Sequence, residues 1–394
     1  MGMDRKLGIG LAATLGLLFG NLAAGLALWP GLFPRPAYLA TDLLALLLAA
    51  LLLLLGFRLS QQGSRVVPRA LVAAAAILAA WAPLEIYVTY RLCQTSGIGG
   101  MLCQTHVNWL DRVPTRNQFG FWEDDLAPYL AGGRRDETVL AVVGDSWTFG
   151  QGLASREERF TDRLGRALPG VRVLNFGQPG ASTGTQARTL VPLALRVRPD
   201  VILVAYWGDD IASSGLPDGV EPEVPRKMNR LDRVAVRPQA RRPGRFEGNH
   251  PLVVALPLVN YGFWRLGDFG TFHGWAEPYE DPVIFEDHAR QLRGLLHGIH
   301  SGGARPVVAL LPCHPLVPDG PPARRDRIYA ALNQVFQATG TPVIPLQDLE
   351  DRFPLGHYEV NPMDPHPGPA LQAAIADGIG AWFRKHPEFL KRRD

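Results

Sequence analysis

Two hydrophobic rhythms divide the chain. In the first ninety residues apolar positions run almost without interruption: Leu7 to Trp29 carries no charge, Ala37 to Phe57 carries only Asp42, and Ala70 to Tyr90 carries only Glu85, beside Pro83. Each run is about long enough to cross a hydrocarbon core of roughly 30 Å as a helix. The pattern predicts three transmembrane helices within residues 1–91. The first run is longer than the apolar stretch of a signal peptide and two more follow it, which favours an anchor over a cleaved leader. Arg5 and Lys6 precede the first run, Arg58, Arg65 and Arg69 lie between the second and third, and only Arg35 separates the first two. Basic residues stay inside, so everything after Tyr90 is expected on the outer side of the membrane. A third segment that failed to span would reverse this. Glu85, about a turn from the interface, can snorkel.

After a connector over residues 92–136, short apolar runs alternate with amphipathic ones. Thr138 to Val143, Val171 to Phe176, Val201 to Trp207, Val307 to Leu311 and Val343 to Leu346 read as strands. Arg159 to Ala167, Thr185 to Val197, Phe285 to Ile299, Ile328 to Ala338 and Ala370 to Phe383 read as helices. Phe285, Ala289, Leu292, Leu296 and Ile299 recur at helical spacing. Five strands with interleaved helices predict one three-layer α/β domain with a parallel sheet over residues 137–394. The alternation fails over residues 213–282, where prolines, arginines and glycines dominate, so that stretch is expected as an insertion.

Composition changes this picture little. The 394 residues are 47% hydrophobic with a formal charge of +3, which gives no reason to expect a nucleic-acid partner. Much of the local basic excess lies between Pro225 and Arg245, where Arg226, Lys227, Arg230, Arg233, Arg237, Arg241, Arg242 and Arg245 face one acid, Asp232. Outside a membrane such a segment suits anionic glycans or headgroups; it equally suits a solvated loop. Cys93 and Cys103 flank a glycine-rich turn and are open to pairing in an oxidising compartment or to standing as free thiols. Cys313, ending a strand, is expected in the core.

The candidate chemistry sits at strand ends. Gly144-Asp145-Ser146 breaks the first strand into a glycine-bearing turn, which places a serine hydroxyl at the edge where α/β sheets collect ligands. His366, between Pro365 and Pro367 before the last helix, is the candidate base, and Asp364 is placed to orient its ring. Turns at Asn175 to Gly180 and Trp207 to Asp210 end the second and third strands, and Gly177 offers a backbone N–H to a developing oxyanion.

Gly144 to Gly150, Asn175 to Gly180, Gly208-Asp209-Asp210-Ile211 and Asp364-Pro365-His366-Pro367 resemble, in order and spacing, the conserved blocks of the SGNH/GDSL hydrolases. Asn117 to Phe121 is similar to the segment preceding the first block in the membrane-anchored bacterial branch. The resemblance implies a flavodoxin-like fold and ester chemistry with no cofactor and no metal. Ser146 would be the nucleophile, His366 the base and Asp364 its orienter. An oxyanion hole would be built from Ser146, Gly177 and a third-block asparagine.

Here the chain departs from the family, because Asp209 occupies the asparagine position. An ionised carboxylate cannot donate and would repel the oxyanion. Asp209 is held protonated by burial and by Asp210, or points away while another group fills in, or the site is crippled. The function expected is a membrane-anchored serine esterase that removes or transfers a short acyl group, such as acetyl, on an extracytoplasmic carbohydrate. A glycan-binding protein with impaired catalysis and a lysophospholipase-like lipid esterase are the alternatives. The expected partners are an acylated carbohydrate or lipid substrate and membrane lipids.

Overall fold

The computed structural model describes residues 36–62, 67–76, 109, 113–130, 137–213, 276–313, 322–354, 357–361 and 364–392. The chain divides into two compact units, residues 1–109 with 230–267, and residues 110–229 with 268–394. The first expected span, most of the third, Cys93, Cys103 and the basic segment 226–245 lie outside the described residues.

In the first unit, helix α1 (Pro36–Gln61) forms where the second span is predicted. Ala49 and Leu53 pack on Ala75, with Leu52 and Val72 alongside. A Cβ at Gly56 would meet Leu71 Cβ at 3.4 Å and Pro68 O at 3.5 Å, ordinary contact distances that leave room for alanine. Leu47, Leu48, Leu51, Leu54, Leu55 and Phe57 remain exposed. Side chains on α1 are described only from Leu47 onward. Among the described residues no helix is long and apolar enough to cross a membrane, so the expected three-span anchor finds no support there.

The second unit is built on a five-stranded parallel sheet. Its strands are β1 (Thr138–Gly144), β2 (Val171–Gly177), β3 (Val201–Tyr206), β4 (Arg305–Leu310) and β5 (Val343–Pro345), in the order β2-β1-β3-β4-β5. That order is the flavodoxin-like one. The central strand β3 is buried along its whole length and β1 everywhere beyond Thr138, as continuous Val/Ile/Leu runs require of strands covered on both faces.

Right-handed crossovers dictate the layers. The connection from β1 to β2 runs one way across the sheet and carries α3 (Phe160–Ala167), after the short α2 (Ser146–Phe149). The connections from β2 to β5 run the other way and carry α4 (Val191–Leu195), α5 (Pro282–Ser301) and α6 (Pro322–Ala338) on the opposite face. The last helix, α7 (Pro369–Lys385), returns to pack on α3. Gln372 on α7 ties the two together, accepting from Phe160 N at 2.7 Å.

Three features depart from the expected elements. The helix expected over Thr185 to Val197 is interrupted by a π-helical turn, Gln186–Leu190, in which Val191 N–H bonds back to Gln186 O. Pro192 follows and has no N–H to continue the ordinary ladder, so the slip occurs just before it. The connector is not a spacer, because Phe121, Trp122 and Leu126 are buried. Fully buried Arg159 donates to Trp122 O at 2.5 Å and to Asp162 at 2.7 Å. These residues fall in the compact unit that holds the sheet. The insertion lies largely outside the described residues, but its end, Ala276–Glu280, is a helix whose Ala276 and Tyr279 are buried in the core. Cys313 is buried in the core, as expected.

Candidate active site

Ser146 opens α2 directly beyond the C-terminal end of β1. Asp145 caps that turn by accepting Trp147 N–H at 2.9 Å. Gly144 is required by close approach, since a Cβ there would stand 2.2 Å from Thr148 Oγ1. The turn is thereby pressed onto the sheet, with Trp147 stacked on Trp207 at 4.8 Å. Ser146 itself is 8% exposed.

Asp364 and His366 do not lie in a helix-entry turn. They sit on β7 (Asp364–Pro367), which pairs with β6 (Glu359–Asn361) as a separate antiparallel hairpin. The proline pattern around His366 hid this strand, because proline is tolerated on such edges. The hairpin brings His366 Nε2 to 2.8 Å from Ser146 Oγ and His366 Nδ1 to 2.5 Å from Asp364 Oδ1. Asp364, fully buried, also accepts His366 N–H at 3.1 Å. A carboxylate can only accept, so Nδ1 carries the proton and Nε2 is left to accept from the serine hydroxyl. Burial alone would lower the pKa of His366, but the Asp364 carboxylate outweighs it and holds the imidazole above its usual value.

The second turn departs from expectation. Gly177 lies beside Gly144 in the β1–β2 register, but its N–H already donates to Asn175 Oδ1 at 2.8 Å. A Cβ on Gly177 would meet Phe149 N at 2.3 Å. Its glycine is therefore needed for packing under α2, and its N–H is committed. Gly180, three residues on, is exposed with φ +76°. Among the described residues no acceptor is recorded for its N–H or for that of Ser146, leaving both as candidate oxyanion donors. Asn175 is the residue that sequence reasoning missed here. It also donates to Thr148 O at 2.6 Å and Thr161 Oγ1 at 2.9 Å, locking the second turn to the first. Its place at the head of the glycine turn was the available signal.

The third turn brings Asp209 and Asp210 to the same edge, but their partners differ from those expected. Asp210 is fully buried and satisfied, accepting from Gln186 Nε2 at 2.7 Å and from Trp207 N at 3.0 Å. The π-helical turn aims Gln186 at it. The charge that most affects Asp209 is that of Asp145 rather than of adjacent Asp210. Burial and then the Asp145 charge drive Asp209 well above the ordinary carboxylate range, and burial pushes Asp145 up to about 6. Asp145 was visible in the Gly-Asp-Ser tripeptide, but its reach across to β3 has no signature in the sequence.

Behind this loop a buried chain of hydroxyls fixes its backbone. Tyr279 donates to Gly208 O at 2.8 Å and so accepts from Tyr206, whose oxygen lies 2.6 Å away. Tyr206 in turn accepts from His288 Nε2 at 2.7 Å. His288 is buried and its pKa falls to about 3, so it serves as a neutral donor.

Among the described residues no group of His, Cys, Asp and Glu is arranged to hold a metal ion. What the site can do is deprotonate a serine hydroxyl beside backbone donors, the arrangement of acyl transfer.

A family model described as GDSL-like lipase/acylhydrolase matches residues 142–374. Three solved structures are similar over nearly their whole lengths. The putative lipolytic protein of the G-D-S-L family from Desulfitobacterium hafniense DCB-2 is 12% identical, with 62% of this chain and 99% of that one covered at a TM-score of 0.36. The lipase/acylhydrolase from Enterococcus faecalis is 14% identical, with 65% and 99% covered at 0.36. The psychrotrophic esterase EstA from a Pseudoalteromonas species is 12% identical, with 64% and 100% covered at 0.37. No curated protein matches the chain.

Proposed function

The chain belongs to the GDSL-like lipase/acylhydrolase family and is an ester-cleaving hydrolase, and from that premise we propose that it removes or transfers a short acyl group, acetyl foremost, on a carbohydrate through an acyl-Ser146 intermediate. The observation that carries the serine chemistry is the continuous row from Ser146 through His366 to Asp364, closed at 2.8 and 2.5 Å. His366 Nε2 takes the serine proton as Oγ attacks the carbonyl carbon. The Asp364 carboxylate steadies the imidazolium that results. The same proton then goes to the leaving alkoxide, and water or a second sugar hydroxyl resolves the acyl-enzyme with His366 again as base.

A small acyl group is favoured by the described wall beside the nucleophile. Trp147, Trp207 and Tyr358 are all nearly buried and pack ring against ring there, Trp147 lying 6.2 Å from Tyr358. With p-nitrophenyl esters of rising chain length, kcat/KM is expected to be highest for acetate and at least about 10-fold lower for octanoate, because extra methylenes would run into this aromatic wall. A rising series would favour the lipid esterase reading instead. Release of acetate from an acetylated polysaccharide is the companion assay.

We further propose that α1 belongs to a membrane anchor and that the hydrolase unit works outside the cytoplasm of a bacterial cell. Support comes from the exposed leucines of α1, which water would penalise, and from the basic residues flanking the apolar runs. Full-length protein is expected to pellet with membranes and to resist salt extraction, yielding only to detergent. Recovery in the salt wash would remove the anchor from the proposal.

A further inference from the structure

The edge of the sheet opposite the active site is basic, and the fold assembles it from segments far apart in sequence. In a parallel sheet with returning helices, strand starts and helix ends share one edge. The last helix, α7, arrives there with Arg384 and Lys385 in its final turn, and a 3-10 helix, Pro387–Leu390, carries the chain on. Hydrogen bonds to strand starts hold it in place. Thr138 Oγ1, at the start of β1, donates to Leu390 O at 2.8 Å, and Arg305, the first residue of β4, donates to Glu388 O at 3.0 Å and to Lys391 O. The same guanidinium reaches Asp200 O at 3.3 Å, just ahead of β3. Arg196 and Arg198, which lead into β3, therefore share this edge with Lys391 and Arg392. Arg196, Arg198, Arg384, Lys385, Lys391 and Arg392 are all exposed. The acids beside them are Glu137, Glu388 and Asp200, and Asp200 is buried, accepting Val139 N–H at 2.9 Å. The surface balance stays positive.

Cations near a helix end offset its dipole, which accounts for Arg384 and Lys385. It does not account for Arg198, whose φ of 50° is a left-handed conformation that favours glycine just after a helix. The chain keeps an arginine where local structure would choose the smaller residue. Nor does it account for Lys391 and Arg392, which lie beyond the last regular turn. We propose that this edge is a docking face for an anionic lipid bilayer, and that it holds the hydrolase unit with Ser146 on the side away from the lipid. A bilayer is favoured over a soluble polyanion by apolar groups on the same chain. Leucines of α1 are exposed, and Trp382, Phe389 and Leu390 stand half-buried beside these cations, with Trp382 and Phe389 ring to ring at 5.2 Å. Aromatic rings next to basic side chains suit the headgroup layer, which is apolar on one side and wet and anionic on the other. The proposal rests on the anchor reading above for the presence of a bilayer, but its dependence on lipid charge does not. An ester presented from the aqueous side then reaches Ser146, and one embedded in the bilayer does not.

The experiment takes full-length protein with vesicles of phosphatidylcholine, made with or without phosphatidylglycerol, and reads amide hydrogen exchange over residues 384–392 and 145–150. Residues 384–392 should exchange about 25-fold or more slowly with phosphatidylglycerol present, the worth of two such charges at a bilayer surface. Salt at about 1 M, where the Debye length falls to roughly 3 Å, should remove the difference. Residues 145–150 should exchange alike in both lipids. Lys391→Gln and Arg392→Gln should each cut the protection about 5-fold, with melting temperature and hydrolysis of p-nitrophenyl acetate unchanged. Equal exchange in the two lipids, a difference that survives salt, or protection of residues 145–150 in place of 384–392 would overturn the proposal. Equal protection by soluble polyphosphate added to phosphatidylcholine vesicles would also overturn it, because the partner would then be a polyanion and not a bilayer. Protein left in the supernatant by phosphatidylcholine vesicles would count against the anchor alone. Pelleting with phosphatidylglycerol vesicles at low salt, lost when Lys391→Gln and Arg392→Gln are combined, would then still uphold the docking face, and failure to pellet with either lipid would sink it.

Discussion

Ser146→Ala is expected to lower kcat for p-nitrophenyl acetate by about a million-fold and to abolish labelling by a fluorophosphonate. In the proposed mechanism Oγ is the atom that attacks, and His366 Nε2, 2.8 Å away, is the group that takes its proton. Without the hydroxyl the imidazole has nothing to deprotonate, and in a serine hydrolase the nucleophile and base fail together rather than additively. A residual rate of about 1000-fold to 10000-fold over water would persist through the backbone donors alone. The variant removes one atom and leaves the Asp145 cap and the Trp147–Trp207 stack in place. Its circular dichroism and melting temperature should therefore match the wild type, separating lost chemistry from lost fold. Retention of more than about a thousandth of the activity, far above that scale of loss, would place the nucleophile elsewhere.

Asp364→Asn should cost about 10000-fold in kcat with little change in KM. An amide in place of the carboxylate can donate to Nδ1, which turns the ring to the tautomer bearing its proton on Nε2. That nitrogen then cannot accept from Ser146. The pH profile adds a second signature. The Asp364 charge is what lifts the His366 pKa against burial, so the wild-type rate should rise with pH through a midpoint above 6.5, the ordinary histidine value. In the variant burial is opposed only by the Asp145 charge, and the residual rate should reach its plateau at lower pH. An unmoved acid limb would mean that Asp364 does not set the charge state of His366.

Much of the sheet was legible because a strand covered on both faces must be written as an unbroken apolar run. β1 and β3 are that kind of strand, and their boundaries fall within a residue or two of those read from hydrophobicity. The amphipathic helices followed for the same reason, with Ala289, Leu292, Leu296 and Ile299 buried on α5. The hairpin of β6 and β7 was not legible, since strands this short with two prolines carry no periodicity. Yet Ser146, His366 and Asp364 were identifiable, because a serine on a glycine turn and a histidine between prolines are unusual in themselves. Gly177 was assigned an oxyanion role when its N–H is spent on Asn175, two residues away in the chain. A backbone donor shows only after its competing acceptors are placed. Asp209 was legible as a departure, and adjacency in the chain points to Asp210 as its charged neighbour. Tertiary proximity gives it Asp145, which is more than sixty residues away in sequence.

Ser146 and His366 are separated by 220 residues along the chain. During synthesis the nucleophile emerges early, with β1 and β2 free to pair behind it, while its base is still unmade. The growing polypeptide therefore passes through a long interval with an exposed serine that has no means of ionising. Competence arrives only when the hairpin of β6 and β7 closes over the sheet edge, after all five strands of the sheet have been made. A chain cut short before that hairpin would lack the acid–base machinery and, with it, the α7 helix that packs on α3. The order of residues thus makes reactivity a late event, coupled to completion of the whole domain.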